Sequence, residues 1–99
     1  QDTQYELSLE KVQLTNKINA QQTEINALER QRKLISNLVV DYATMLNSEE
    51  RLFSFGESSI FLVNSRENNL VSAQLSQLSL ENRYFTSNAT LFKIMANTD

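Results

Sequence analysis

The feature that most constrains this chain is its near-lack of residues that interrupt helices. Its 99 residues contain no proline and a single glycine, Gly56. Glycine and proline are the strongest local breakers of regular structure, and a sheet with many turns needs several of them. The sequence therefore predicts an all-α fold, a long antiparallel two-helix coiled-coil hairpin with its turn at Gly56.

The first half of the chain carries a heptad pattern. Apolar side chains recur every seven residues in two rows, and the steps between the rows alternate between three and four residues, as in a coiled-coil seam. A third row of Leu38, Met45 and Leu52 widens the apolar face near the turn. The two main rows, with their polar interruptions, are Ile18, Ile25, Arg32, Val39, Leu46 and Phe53, and Leu7, Leu14, Gln21, Leu28, Ile35 and Tyr42.

The second half carries three such rows, which together are wider than a two-stranded seam requires. A helix with excess apolar surface needs something else to cover it. We therefore expect a bundle or dimer partner beyond the hairpin itself. The three rows are Val71, Leu78, Phe85 and Phe92; Phe61, Asn68, Leu75, Asn82, Ala89 and Ala96; and Val63, Leu70, Gln77, Tyr84 and Leu91.

The spacing predicts one helix over about residues 3–54, a turn over about 55–58 and a second helix over about 59–97. Gly56 is suited to positive φ after a helix end, and either Ser58 or Ser59 can cap the next helix. Two neighbouring registers of the helices remain open. The first helix is longer than the second, which leaves Leu7 and Leu14 without an intrachain partner. We therefore expect the chain to be a fragment of a larger protein.

Composition argues against several classes of function. The chain has no cysteine and no histidine, so the commonest metal ligands, the thiol nucleophile and the usual neutral-pH base are missing. Nine Lys and Arg against twelve Asp and Glu give a net charge of −3, unlike a nucleic-acid binder. The acidic residues Asp41, Glu49 and Glu50 are read as a solvated helix end rather than a metal site. We expect no enzyme activity, no cofactor, no catalytic residue and no metal ligand.

The apex of the hairpin is unusually apolar. Phe53 and Phe55 precede Gly56, and Ile60 and Phe61 follow it. A hairpin tip has little of its own structure to bury such side chains against, and exposed aromatic residues are common anchors for a protein partner. Two interpretations stay open here, contact with a partner and simple packing within the tip.

The tip resembles that of a known family. The family pattern is an aromatic residue, two residues, glycine, two residues and serine, followed by a segment that starts a long returning helix. Phe53, Gly56 and Ser59 match the aromatic residue, glycine and serine; Phe61 and Val63 match apolar positions of the returning segment. On these residues the chain resembles the periplasmic helical hairpin of the TolC-like outer membrane efflux proteins, specifically the C-terminal one. The residues at 70–75 and 84–96 also resemble that family's returning helix.

The resemblance has departures. Leu62 and Ser65 stand where many relatives carry acidic residues. In some relatives, acids at such positions narrow the closed entrance and attract cations, so that property is not carried over. Asn64 replaces a usual leucine. The resemblance covers nearly the whole chain, but the chain corresponds to only one of the family's two hairpin repeats. The sequence also has none of the alternating segments of a membrane β-barrel.

The resemblance implies a role in export. The parent would be a homotrimer in the outer membrane of a Gram-negative type of envelope, and each hairpin would form part of the wall of a periplasmic tunnel. The tunnel would be a passive conduit for drugs, toxins or metabolites, and an inner-membrane pump would supply the energy. The tip would dock a periplasmic adaptor. The alternative is a generic antiparallel coiled-coil module for protein–protein interaction. The tip residues expected to contact the adaptor are Phe53, Phe55, Gly56, Glu57, Ser59, Ile60 and Val63.

Overall fold

The computed structural model describes residues 2–97, of which Asp2 is described by its backbone alone. It contains two long helices, α1 (Asp2–Ser54) and α2 (Ile60–Ala96), packed against each other as a hairpin. The predicted all-α hairpin and its turn at Gly56 are therefore confirmed. The second helix begins one residue later than expected, because Ser59 precedes it as the capping residue.

A seam of partly or fully buried side chains runs along each helix. On both helices these residues follow steps of alternately three and four, which keeps the same face of each helix turned towards the other. The α1 seam consists of Leu14, Ile18, Gln21, Ile25, Leu28, Arg32, Ile35, Val39, Tyr42, Leu46 and Glu49. The α2 seam consists of Val63, Arg66, Leu70, Ala73, Gln77, Leu80, Tyr84, Ser87, Leu91 and Ile94.

The chain divides into two compact units, which are described separately. The terminal unit comprises Gln1–Glu29 and Asn82–Asp99. Its most buried residues are Ile25, Leu28 and Ser87, and Gln21 Nε2 donates a hydrogen bond to the Ser87 carbonyl oxygen at 3.0 Å. This bond gives a polar seam residue a partner and links the two helices within the unit.

The tip unit comprises Arg30–Glu81 and contains the turn. Ala73 is buried, and the larger apolar side chains around it on the seam are half-buried. A small residue at this seam position lets the two helices approach each other closely. In this unit Val71 and Leu75 are exposed while Leu70 lies in the seam, so it is the row beginning at Val63 that packs against α1.

Two expectations about the N-terminal part of α1 have different outcomes. Leu7 is 52% exposed, as expected for a residue without an intrachain partner. Leu14, which was expected to lack a partner as well, is half-buried. The α2 seam continues to Ile94, so it extends far enough to cover the seam of α1 at that level.

Candidate functional site at the hairpin tip

The reversal of the chain begins with a helix C-terminal motif. The Gly56 N–H donates to the Phe53 carbonyl at 3.0 Å, and the Glu57 N–H donates to the Leu52 carbonyl at 2.8 Å. This pair of bonds is a Schellman motif, in which the residue after the helix takes positive φ. Gly56 has φ of 75°. A Cβ there would meet nothing within 4 Å, so glycine is required by backbone conformation and not by lack of space.

The start of α2 is capped by Ser59. Its side-chain oxygen accepts a hydrogen bond from the Leu62 N–H at 3.2 Å, and its carbonyl accepts one from the Val63 N–H at 3.1 Å. A side-chain oxygen that accepts from the third residue of the helix is the standard arrangement of a serine N-cap. Of the two capping serines that the sequence left open, the structure therefore selects Ser59.

Ser58 has a different role, in a polar cluster that we call the tip clasp: Glu49, Ser58 and Arg66. Ser58 Oγ donates to Glu49 Oε2 at 2.6 Å, and Arg66 Nε donates to Glu49 Oε1 at 3.2 Å. Glu49 is 8% exposed. Because side chains lean towards the N-terminus of their own helix, Glu49 and Arg66 lean towards each other across an antiparallel pair.

The hydrogen bond from Ser58, followed by that from Arg66, lowers the pKa of Glu49 below its ordinary value. Hydrogen bonds to the charged form of a carboxyl group favour that form. The clasp therefore holds an ionised carboxylate between the end of α1, the turn and the first turns of α2. It closes the seam where apolar packing ends.

This arrangement corrects the interpretation of Glu49 as part of a solvated acidic face. Asp41 and Glu50 are exposed, but Glu49 points into the seam. A signal for this was present in the sequence, because Glu49 continues the heptad row of Leu28, Ile35 and Tyr42. The carboxylate is tolerated there because Ser58 and Arg66 provide donors.

The apolar residues of the apex are exposed. We call Phe53, Phe55, Ile60 and Phe61 the tip surface. Phe55 and Phe61 are 70% and 77% exposed, and Ile60 and Phe53 are 58% and 45% exposed. Packing within the tip therefore does not cover these side chains. Contact of these exposed side chains with a partner stays a prediction.

The structure brings most of the predicted contact residues onto one exposed stretch. Phe53, Phe55, Gly56, Glu57, Ser59 and Ile60 are all exposed around the turn. Val63 is half-buried in the seam between the helices, so its side chain also supports the tip from within. Phe61, which the prediction left out of the contact set, is the most exposed of the apex aromatic residues.

Two shallow grooves lie beside the seam, one within each unit. The groove of the tip unit has a volume of about 210 Å³ and has Leu38 and Tyr42 on its α1 side and Asn69, Ser72 and Ser76 on its α2 side. The groove of the terminal unit has a volume of about 250 Å³ and lies between Glu24 and Arg83. Both are open to solvent along the hairpin, a form that suits the side of another helix better than a small molecule.

Between residues 3 and 97, acidic side chains form no group of three or more that could hold a metal ion. Neither helix, over the same residues, contains a segment long and apolar enough to cross a membrane.

Comparison with known proteins finds no match: no protein-family model, no curated protein and no solved structure matches the chain.

Proposed function

We propose that this hairpin forms part of the periplasmic tunnel wall of a TolC-like outer membrane efflux duct and docks a periplasmic adaptor through its tip. The duct would be a homotrimer and would conduct drugs, toxins or metabolites passively, with energy from an inner-membrane pump. The observation that carries the proposal is the tip surface. It holds aromatic side chains in solvent at the one reversal of a long hairpin.

The rigidity of the turn supports a docking role. The Schellman motif at Gly56, the Ser59 cap and the tip clasp restrain the backbone on both sides of the apex. An apolar surface that is held in one shape loses less conformational entropy on binding than a flexible loop does. Exposed aromatic residues on such a support have the character of interface anchors.

Exposed apolar side chains along the outer side of α2 support the idea of a tunnel wall. In the tip unit, Val71, Leu75 and Leu78 are 46%, 62% and 59% exposed, although their two rows are as regular as the buried one. In a wall, each hairpin would cover these rows of its neighbour. The serines beside them on α2, Ser72, Ser76 and Ser79, suit the parts of a wall that face water.

A generic coiled-coil interaction module is the second candidate. It has the same seam, the same exposed rows and the same helix lengths, but it assigns no docking role to the turn. Under this alternative, substitutions at Gly56 alter stability alone. Under the efflux proposal, a bulky residue at Gly56 also blocks docking. The two candidates therefore differ in one measurable respect.

The test compares Gly56→Arg with Gly56→Ala in the full-length parent protein. Both variants place a side chain on a residue with φ of 75°, so both carry similar backbone strain. Only arginine adds bulk and charge at the apex. We expect both variants to reach the outer membrane as folded trimers, Gly56→Ala to export normally and Gly56→Arg to lose export. Normal export by a correctly localised Gly56→Arg variant would overturn the docking proposal.

A further inference from the structure

The outer side of α2 in the terminal unit has a second regular pattern, distinct from the tip. Phe85, Ala89, Phe92 and Ala96 follow one another at steps of four, three and four residues, the spacing of a coiled-coil seam. All four are exposed, and the two phenylalanines are 76% and 77% exposed. The seam with α1 uses other residues of the same helix, Tyr84, Ser87, Leu91 and Ile94. We call the four exposed residues the Phe/Ala row.

The alternation of large and small residues in the row is self-complementary. When two copies of α2 lie antiparallel about a two-fold axis between residues 90 and 91, Phe85 of each copy faces Ala96 of the other. In the same arrangement Phe92 faces Ala89. Each ring then fills the space that an alanine leaves, which is the arrangement that packed helices need.

We propose that the Phe/Ala row is an interface for a second copy of this chain, with the two α2 helices antiparallel. A parallel pair fits less well, because it places phenylalanine against phenylalanine and alanine against alanine, which leaves uneven gaps.

The register follows from Asn82, the next residue along the row towards the turn. A shift by one heptad would place its amide against Phe92 of the other copy and bury a polar group without a designated partner. With the axis between residues 90 and 91, Asn82 lies beyond the row at the edge of the contact. The proposed register is therefore the one that buries apolar side chains alone.

The area is sufficient for a specific but weak dimer. A phenylalanine side chain buries about 150–250 Å² when covered, so the four largely exposed rings of a dimer would remove roughly 600 Å² from water. The alanines and the helix surface beneath the rings bring the total to about 1,000 Å², near the lower limit of specific interfaces. We expect dissociation in the micromolar range. This inference does not rest on the efflux proposal. In a tunnel wall a neighbouring hairpin would cover the same face of α2, so the antiparallel pair is proposed for the separate 99-residue chain.

The first experiment compares Phe92→Glu with Phe61→Glu in the 99-residue chain by sedimentation equilibrium. Phe61 is the matched control, because it is also 77% exposed but lies in the tip unit. We expect wild type and Phe61→Glu to dimerise equally. Phe92→Glu should raise the dimer dissociation constant by at least about 30-fold, since loss of an aromatic anchor has such an effect. Circular dichroism should show equal helicity for all three.

The second experiment tests orientation. The chain has no cysteine, so single cysteines can be introduced one at a time. In the proposed dimer the two copies of residue 89 lie roughly 5 Å apart along the axis, and the two copies of residue 96 lie roughly 16 Å apart. A short thiol cross-linker should therefore join Ala89→Cys chains and not Ala96→Cys chains, whereas a parallel dimer would be joined at both.

Three results would overturn the proposal. They are a wild-type chain that stays monomeric at millimolar concentration, equal weakening by Phe61→Glu and Phe92→Glu, and efficient cross-linking at residue 96. The second of these would assign self-association to surfaces outside the Phe/Ala row. None of them bears on whether the tip docks an adaptor, which the Gly56 variants test separately.

Discussion

Substitution of Leu28 by alanine tests whether the seam holds the hairpin together. Leu28 is 2% exposed, the most buried large side chain in the described part of the chain. Removing a buried leucine side chain typically lowers the free energy of unfolding by 2–5 kcal/mol, through lost apolar burial and the cavity that remains. A two-helix seam has solvent nearby and can partly collapse, so we expect a loss of about 2–3 kcal/mol. For a chain of this size that corresponds to a fall in Tm of roughly 8–24 °C.

Leu34→Ala is the matched control for this prediction. It is the same substitution in the same helix, but Leu34 is 69% exposed. Leucine and alanine both favour helices, so we expect a change within about 0.5 kcal/mol. The assay is urea unfolding followed by circular dichroism, carried out in the Phe92→Glu background so that self-association contributes little. Equal losses for the two variants would refute the assignment of Leu28 to the seam.

Two further predictions concern the tip. Ser59→Ala should lower the free energy of unfolding by about 1 kcal/mol, because the Leu62 N–H loses its acceptor. Urea unfolding measures this loss, with Ser54→Ala as the control. The pKa of Glu49 is lower in the folded than in the unfolded chain, so its stabilisation is present above about pH 4.5 and is lost as the pH falls through the folded pKa. Melting curves across this range should show the Tm difference between wild type and Glu49→Gln shrinking towards acid. A constant difference would argue against an ionised clasp, and Glu50→Gln, at an exposed neighbour, is the control.

The heptad rows predicted α1 more completely than α2. In α1 one apolar face dominates, so the rows containing Leu28 and Val39 identified the seam, including its polar members Gln21 and Arg32. In α2 only one of the three predicted rows, that of Leu70, packs on α1. The other half of the seam, which contains Ala73 and Leu80, belongs to none of the predicted rows. A periodic pattern reports which residues avoid water but not which partner covers them. The structure was needed to separate the row of Leu70 from the exposed rows.

The tip clasp was missed for a different reason. Glu49 finds its partners nine and seventeen residues away, at Ser58 and Arg66, and these come together once the chain has reversed. A local reading of two adjacent glutamates near a helix end favours solvent exposure. The position of Gly56, in contrast, was predictable, because a Schellman turn depends on one residue's backbone conformation.

The measurement that tests the proposed function most directly is the sequence of the reading frame on both sides of this chain in its parent gene. The efflux proposal predicts a secretory leader, a second related helical hairpin and segments of alternating hydrophobicity that form a membrane β-barrel. A frame that encodes none of these would contradict it. The hairpin would then be a coiled-coil interaction module whose tip surface binds some other partner.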